Sequence, residues 1–434
     1  MSVKKRKRQR QEPTTPNRPS WLRRPITWVL LALAGGLLLL GTVPQRVHWQ
    51  RYETQLRNTN FAAATQSIEA AEKWWASTDD VMLGKAEILG QQGYDEEALS
   101  AIVVAENFGA DSSTTAAAKA RLQWQSGRLD QRAQQFRSGN FTSDDFAAVS
   151  MGHLVRGELD TAEKVLKVWR EQYPQDAAAD VTAALIAQED EDLQRAGDLL
   201  RQAVQKNPRH VGARFQLAQH QYAMRNFDAA LAGFESVIHS LESSVPDGDR
   251  VSINGEQLHA SRFIRALILQ EQNRIEDAET QFQELLALYP NDFAIRYSLA
   301  NMYALNGKGD EIISALRPIL DQFPDDISLN YLMATAEALR GNFELADGWI
   351  GQYLNARRQL NQLIEAERQR AGQPPNPEFY MQLAEAYLKY KWDDAKPWID
   401  LAASLQPQSP RIRRGYQIFY ENSGNWEQAA RYRQ

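Results

Sequence analysis

The stretch "FAIRYSLANMYALNGKGDEIISALRPILDQFPDD", residues 293–326, decides the fold of this chain. Leu299, Ala300, Tyr303 and Ala304 fall three and four residues apart, which places them on one face of a helix. Asn306 and Gly307 break that run. Ile312, Ile313, Leu316, Ile319 and Leu320 then make a second apolar stripe, and Pro324 closes it. The reading is a pair of amphipathic helices joined by a tight corner. Neither helix can bury its stripe alone.

The same unit recurs along the chain. Ala162, Ala196 and Ala230 stand 34 residues apart, as do Ala266, Ala300 and Ala334. Pro174 and Pro208, then Pro290 and Pro324, keep that interval, and each ends a helical pattern. The break between helices returns as "RNF" (225–227), "GNF" (341–343) and "GNW" (424–426). Strand-like alternation of any length is missing after residue 45.

This pattern resembles the tetratricopeptide repeat family, whose units are helix pairs of about 34 residues. The family keeps small residues at the eighth, twentieth and twenty-seventh positions and proline at the thirty-second. The best matches start at Ser143, Ala177, Val211, His259, Phe293 and Ile327. Their eighth residues are Ser150, Ala184, Ala218, Ala266, Ala300 and Ala334. Their twentieth are Ala162, Ala196, Ala230, Ala278, Ile312 and Ala346, and Ile312 is expected to loosen its unit. A further unit begins near Pro377, with Ala384 and Pro407 in phase after a one-residue deletion. "NFAAATQSIEAAEKWW" (60–75) and "YDEEALSAIVVAE" (94–106) read as second helices of weaker units, while 109–142 matches badly. The resemblance implies an all-α solenoid, a right-handed superhelix of antiparallel helix pairs.

The N-terminus adds a different element. "PITWVLLALAGGLLLLGTVPQ", residues 25–45, carries no charge, and ten of the eighteen residues from Ile26 to Val43 are Leu, Ile or Val. Those ten favour membrane insertion by roughly 3 to 6 kcal/mol, and about 20 residues of helix span the hydrocarbon layer. Residues 1–25 hold nine Lys/Arg, with "KKRKRQR" (4–10) at their head, against Glu12 alone. That asymmetry predicts a cytoplasmic N-terminus and an extracytoplasmic repeat array. A cleaved signal peptide fits less well, because the small-residue site Ala32–Leu33–Ala34 lies inside the apolar run.

The expected organisation is a basic segment (1–24), a transmembrane helix (25–45) and atypical helical repeats (46–142). Repeat units follow at 143–244, an insertion at 245–258, more units at 259–360, a linker at 361–376 and the last units at 377–434. The net charge of −6 includes about +8 from the first 25 residues, so the array is acidic and ill suited to nucleic-acid backbones. With no cysteine, disulfides, thiolate metal sites and a cysteine nucleophile are excluded.

Catalytic and metal signatures are missing. The six histidines show no metal-binding spacing, "NGKG" (306–309) reads as a corner, and "DGD" (247–249) reads as a solvated turn. "NFT" (140–142) is a glycosylation acceptor only in a host that modifies such sites. No cofactor is implied.

One constellation recurs in phase: "RFQLA" (214–218), "RFIRA" (262–266), "RYSLA" (296–300) and "NYLMA" (330–334). The resemblance implies that first helices line a concave face, with their second, fifth, ninth and twelfth residues turned into it. That nominates Phe215, Phe263, Tyr297 and Tyr331, with Gln219, Asn301 and Tyr222, and with Arg214, Arg262 and Arg296 beside them. Aromatic rings and arginines suit a protein or peptide partner. The alternative is that these rings fill the core in place of the large residue the family keeps at position four.

The functional expectation is a non-catalytic scaffold in a cell membrane, single-pass, with its repeats in the periplasm, assembling an envelope complex. Two other readings stand beside it. One is an accessory to an envelope-biogenesis enzyme with its site in 109–142 or 241–258. The other is a structural protein that self-associates through its last unit, "NWEQAARYRQ" (425–434), which ends without a polar capping helix.

Overall fold

The computed structural model describes residues 45–74, 76–137, 140–246, 252–370, 372–407, 409–423, 429 and 432. Helices dominate these residues, and no strand occurs among them. The expected membrane span at 25–45 lies outside the described residues except for Gln45. The basic segment 1–24, "DGD" (247–249) and most of "NWEQAARYRQ" (425–434) also lie outside the described residues. Among the described residues no helix is long and apolar enough to cross a membrane.

Helix α1 (45–57) pairs with α2 (Phe61–Lys73), and α3 (Thr78–Gln91) with α4 (Asp95–Asn107). The third pair is α5 (Ser112–Gln125) and the four-residue α6 (Gln131–Gln134). Then come α7 (Ser143–Val155) with α8 (Leu159–Gln172), and α9 (Ala177–Glu189) with α10 (Leu193–Lys206). Next are α11 (Val211–Ala223) with α12 (Phe227–Leu241), and α13 (Ile253–Glu271) with α14 (Ile275–Leu288). The array continues through α15 (Phe293–Leu305) with α16 (Gly309–Leu320), and α17 (Ile327–Leu339) with α18 (Phe343–Gln369). It ends in α19 (Pro377–Tyr390), α20 (Lys396–Leu405) and α21 (Pro410–Asn422).

Short polar residues start these helices. Asp176, Asp292, Asp326 and Asn376 each accept a first-turn N–H, which satisfies donors that no helical carbonyl can reach. A left-handed residue turns each corner: Thr59, Gly93, Gly127, Gly157, Glu191, Arg225, Asn273, Gly307 and Gly341. These stand 34 residues apart except twice, at 30 between Gly127 and Gly157 and at 48 between Arg225 and Asn273. The backbone therefore keeps the period from the first pair onward. Between the paired helices, Ala64, Ala98, Ala162, Ala196, Ala230 and Ala278 are fully buried and allow close approach. Ile312 is equally buried, its bulk taken up in an apolar cluster that spans α13 to α17.

Three segments differ from the sequence expectation. The third unit is short because α6 is a single turn, so α7 packs directly on α5 and the alanine phase is lost there. The insertion placed at 245–258 is helical from Ile253, because Asn254 and Leu258 are buried against neighbouring helices. The linker placed at 361–376 is helical to Gln369: Ala356, Leu360, Leu363 and Ile364 form a stripe that packs on α19.

The array also closes on itself. The corner between α1 and α2 meets the start of α11, where the Val211 N–H donates to Asn58 O (2.8 Å) and the Gly212 N–H to Thr59 Oγ1 (2.9 Å). Asn254, fully buried, donates to Thr59 O and accepts from the Ala62 N–H, each at 3.1 Å. Thr59 holds φ at 53°, a strained value for a β-branched residue, and these bonds hold it there.

His210 stands at this contact. Its Nδ1 accepts from the Ala213 N–H (3.1 Å) and lies 3.3 Å from Thr59 Oγ1. Only an unprotonated Nδ1 accepts, and burial pushes the ring down from 6.5 to about 4, with the nearby Asp176 opposing and Arg214 assisting. The fold thus favours the neutral ring. Its contribution is complete above pH 6.5 and is lost as pH falls towards 4. Urea denaturation should show about 2–3 kcal/mol lost between pH 7.5 and 4.5 through this group. His210→Asn keeps a capping acceptor and should remove that part of the pH dependence.

Candidate interaction surface

The four rings nominated at the fifth position do not form a uniform ladder. Phe215 is 8% exposed and sits edge-on to Phe234 of α12, 6.1 Å away. It is a core residue, which corrects its assignment to the groove. Phe263 is half-buried, 6.1 Å from Phe282 of α14. Tyr297 is half-buried and stacks on Phe293 at 6.1 Å. Tyr331 is 52% exposed.

The arginines are tied down within the fold. Arg214 donates to Ser236 O (3.0 Å), Ser236 Oγ (2.6 Å) and Ser240 Oγ (2.8 Å) on its own second helix. Arg296 donates to Pro290 O (2.6 Å) and Ala315 O (2.8 Å). Arg262 meets Glu242 at 3.1 Å. Burial lowers the Arg214 and Arg296 guanidinium values, which fits a structural use. The sequence alone could not separate these roles, because position four faces either the groove or the second helix according to the local pitch. Gln219, Tyr222 and Asn301 are half-buried, with Tyr222 6.0 Å from Phe227.

The combination of ring and arginine does occur, between the first half of α17 and the middle of α18. Tyr331 lies 5.6 Å from Tyr353, and Arg357 sits over the Tyr353 ring at 5.8 Å while donating to its hydroxyl at 2.8 Å. Leu354 (49%), Leu345 (56%) and Phe343 (69%) are exposed on the same helix. The cause is the path of the chain. In earlier units the twenty-fourth and twenty-seventh residues are buried, as with Phe234 and Val237, or Leu316 and Ile319. In α18 these positions are Ile350 and Tyr353, both only half-buried, because α19 packs on α18 from Ala356 onward. Tyr353 and Arg357 lie on a second helix, outside the first-helix positions that the repeat pattern turns into the groove. The signal was a tyrosine at position 27 of a unit.

The first units carry a separate polar group. The Tyr52 hydroxyl donates to Glu87 (2.7 Å), and Arg121 lies 3.5 Å from Asp145. Burial raises the Glu87 and Asp144 carboxyls, and Arg121 opposes both shifts. Among the described residues, no group of three or more His, Cys, Asp or Glu is placed to hold a metal ion.

Two family models match, both described as tetratricopeptide repeat, over residues 187–242 and 265–327. No curated protein matches the chain. Solved structures do. A tetratricopeptide repeat protein from Parabacteroides merdae is 15% identical, with TM-score 0.40, covering 64% of this chain and 98% of that one. YrrB, described as a TPR protein with an unusual peptide-binding site, is 17% identical, with TM-score 0.36, over 44% of this chain and 91% of that one. Pseudomonas aeruginosa pilF is 15% identical, with TM-score 0.30, over 65% and 98%. The matched stretches run through α9 to α12 and α13 to α17, where the phased alanines lie buried between paired helices. Over residues 187–242 and 265–327 the chain carries tetratricopeptide repeats.

Proposed function

We propose that this protein is a membrane-tethered docking scaffold that holds a protein or peptide partner and has no catalytic step of its own. Repeats of this kind are protein-interaction scaffolds in general. The tether is the uncharged stretch 25–45 behind nine basic residues, which sets the repeats outside the cytoplasm, at a bacterial inner membrane facing the periplasm. There the scaffold would gather the parts of an envelope complex.

The observation that carries the partner reading is the open face of α17 and α18. Tyr331, Tyr353 and Arg357 stand together beside the exposed Leu354. Rigid rings give contact area at low entropic cost, and a guanidinium pairs with a carboxylate through two parallel bonds. A segment bearing apolar side chains and a carboxylate fits that surface. Gln219, Tyr222 and Asn301 extend the surface that the first helices offer.

The test is to extract the full-length protein from membranes, identify what stays bound, and measure that partner's affinity. Tyr331→Ala with Arg357→Ala should weaken it by about 100-fold, the range of an interface anchor. Unchanged affinity rejects this surface. Release of the protein by a high-salt wash rejects the tether.

A further inference from the structure

The last unit meets the array in two places: α19 packs on α18, and the corner at residues 391–395 packs on the apolar cluster beside α15. Trp392, 8% exposed, packs edge-on to Phe293 (5.5 Å), stacks on Phe323 (5.7 Å) and meets Phe419 (5.8 Å). Beside it lies the start of α17, capped by Asp326. Asp326 is 1% exposed, and its Oδ1 accepts from the Ser328 and Leu329 N–H groups. Its other oxygen, Oδ2, has no hydrogen-bond partner, and neither has Asn330 Oδ1, one helical turn on.

The other capping aspartates show why this one is unusual. Asp176 faces the Ser143 hydroxyl and the Trp169 indole N–H, and Asp292 faces His259. Ser143 and His259 are the first residues of their units. The corresponding residue before Asp326 is Phe293, which donates nothing. The charged groups that act on Asp326 come from the docked corner: Asp393 repels its charge and Lys391 opposes that repulsion. Asp325 is paired with Lys389 across the same junction, and Asp394 with Lys391.

We infer that the last unit is held by a proton-dependent latch, in which Asp326 docks as the neutral acid and its Oδ2–H donates to Asn330 Oδ1. The Asn330 Nδ2 donates to Pro324 O (3.4 Å), which leaves its Oδ1 to accept, and a protonated Oδ2 of Asp326 supplies the donor. Burial pushes the Asp326 carboxyl up from 3.8 to about 7, in spite of its two backbone bonds. A raised value means the docked state favours the proton. Docking is therefore strongest below pH 4, weakens by up to tenfold per unit as pH rises to about 7, and is level above that.

The indole N–H of Trp392 is buried and makes no hydrogen bond, so its exchange with solvent needs the corner to lift. Exchange measured by NMR on the full chain, corrected for chemical rate and assigned with Trp392→Phe, reads that opening. In the wild-type protein, opening should increase about 50-fold between pH 5 and pH 7. Asp326→Asn keeps the cap and can donate to Asn330, so its opening should stay throughout at the level the wild-type reaches below pH 4. Burial also raises the Asp393 carboxyl, so Asp393→Asn serves as the second variant and should retain most of the wild-type rise. A flat wild-type profile overturns the latch. So does a rise that persists in Asp326→Asn, or one that vanishes only in Asp393→Asn.

Discussion

Trp392→Ala is expected to loosen the last unit from the array, at a cost of about 3–5 kcal/mol. The indole fills the space between Phe293, Phe323 and Phe419, and alanine would leave it empty. The packing of Leu360 and Ile364 of α18 against Tyr390 and Ala386 of α19 remains in this variant, while the pair of Lys389 with Asp325 is half exposed and adds little. Urea unfolding followed by circular dichroism should split into two steps, with the first reporting α19 to α21. Trp74→Ala, at a residue 43% exposed, should cost less than about 1 kcal/mol. Equal losses in the two variants would show that Trp392 does not hold the junction.

The second large effect is expected at Gly152, on α7. A Cβ there would lie 2.0 Å from Trp124 O and 2.8 Å from Leu129 Cδ2. The first neighbour is backbone and cannot rotate away. Gly152→Ala must push α7 off α5, opening the stack of Trp124 on Phe141 (5.9 Å) and of Phe141 on Phe146 (5.4 Å). The expected loss is about 3 kcal/mol. Gly348→Ala is the matched control, since nothing lies within 4 Å of its added Cβ. It should gain up to about 1 kcal/mol from helix propensity. Thermal unfolding separates the two, and a Gly152→Ala variant as stable as the control would refute the close contact.

The paired helices were legible because their information is local. Apolar stripes, capping aspartates and corner residues act within one unit of the chain, and Ala162, Ala196 and Ala230 repeat that unit visibly. The first units were harder, although Ala64 and Ala98 keep the same interval, because the short third unit shifts the register by four residues before the clear repeats begin. The interaction surface was read less well. The arginines beside Phe215 and Tyr297 bond within the array, and Arg357, over the half-buried Tyr353, is the arginine beside the exposed Tyr331.

Sequence by itself determined the all-helical class, the period of the units and the residues that separate paired helices, because each depends on neighbours within about one repeat. Only the tertiary structure decided where the array closes and where it stays open. Asn254 reaches Thr59 and Trp392 reaches Phe293 across long stretches of chain. Such contacts sum the small twist between successive pairs, and that sum is written in no single unit.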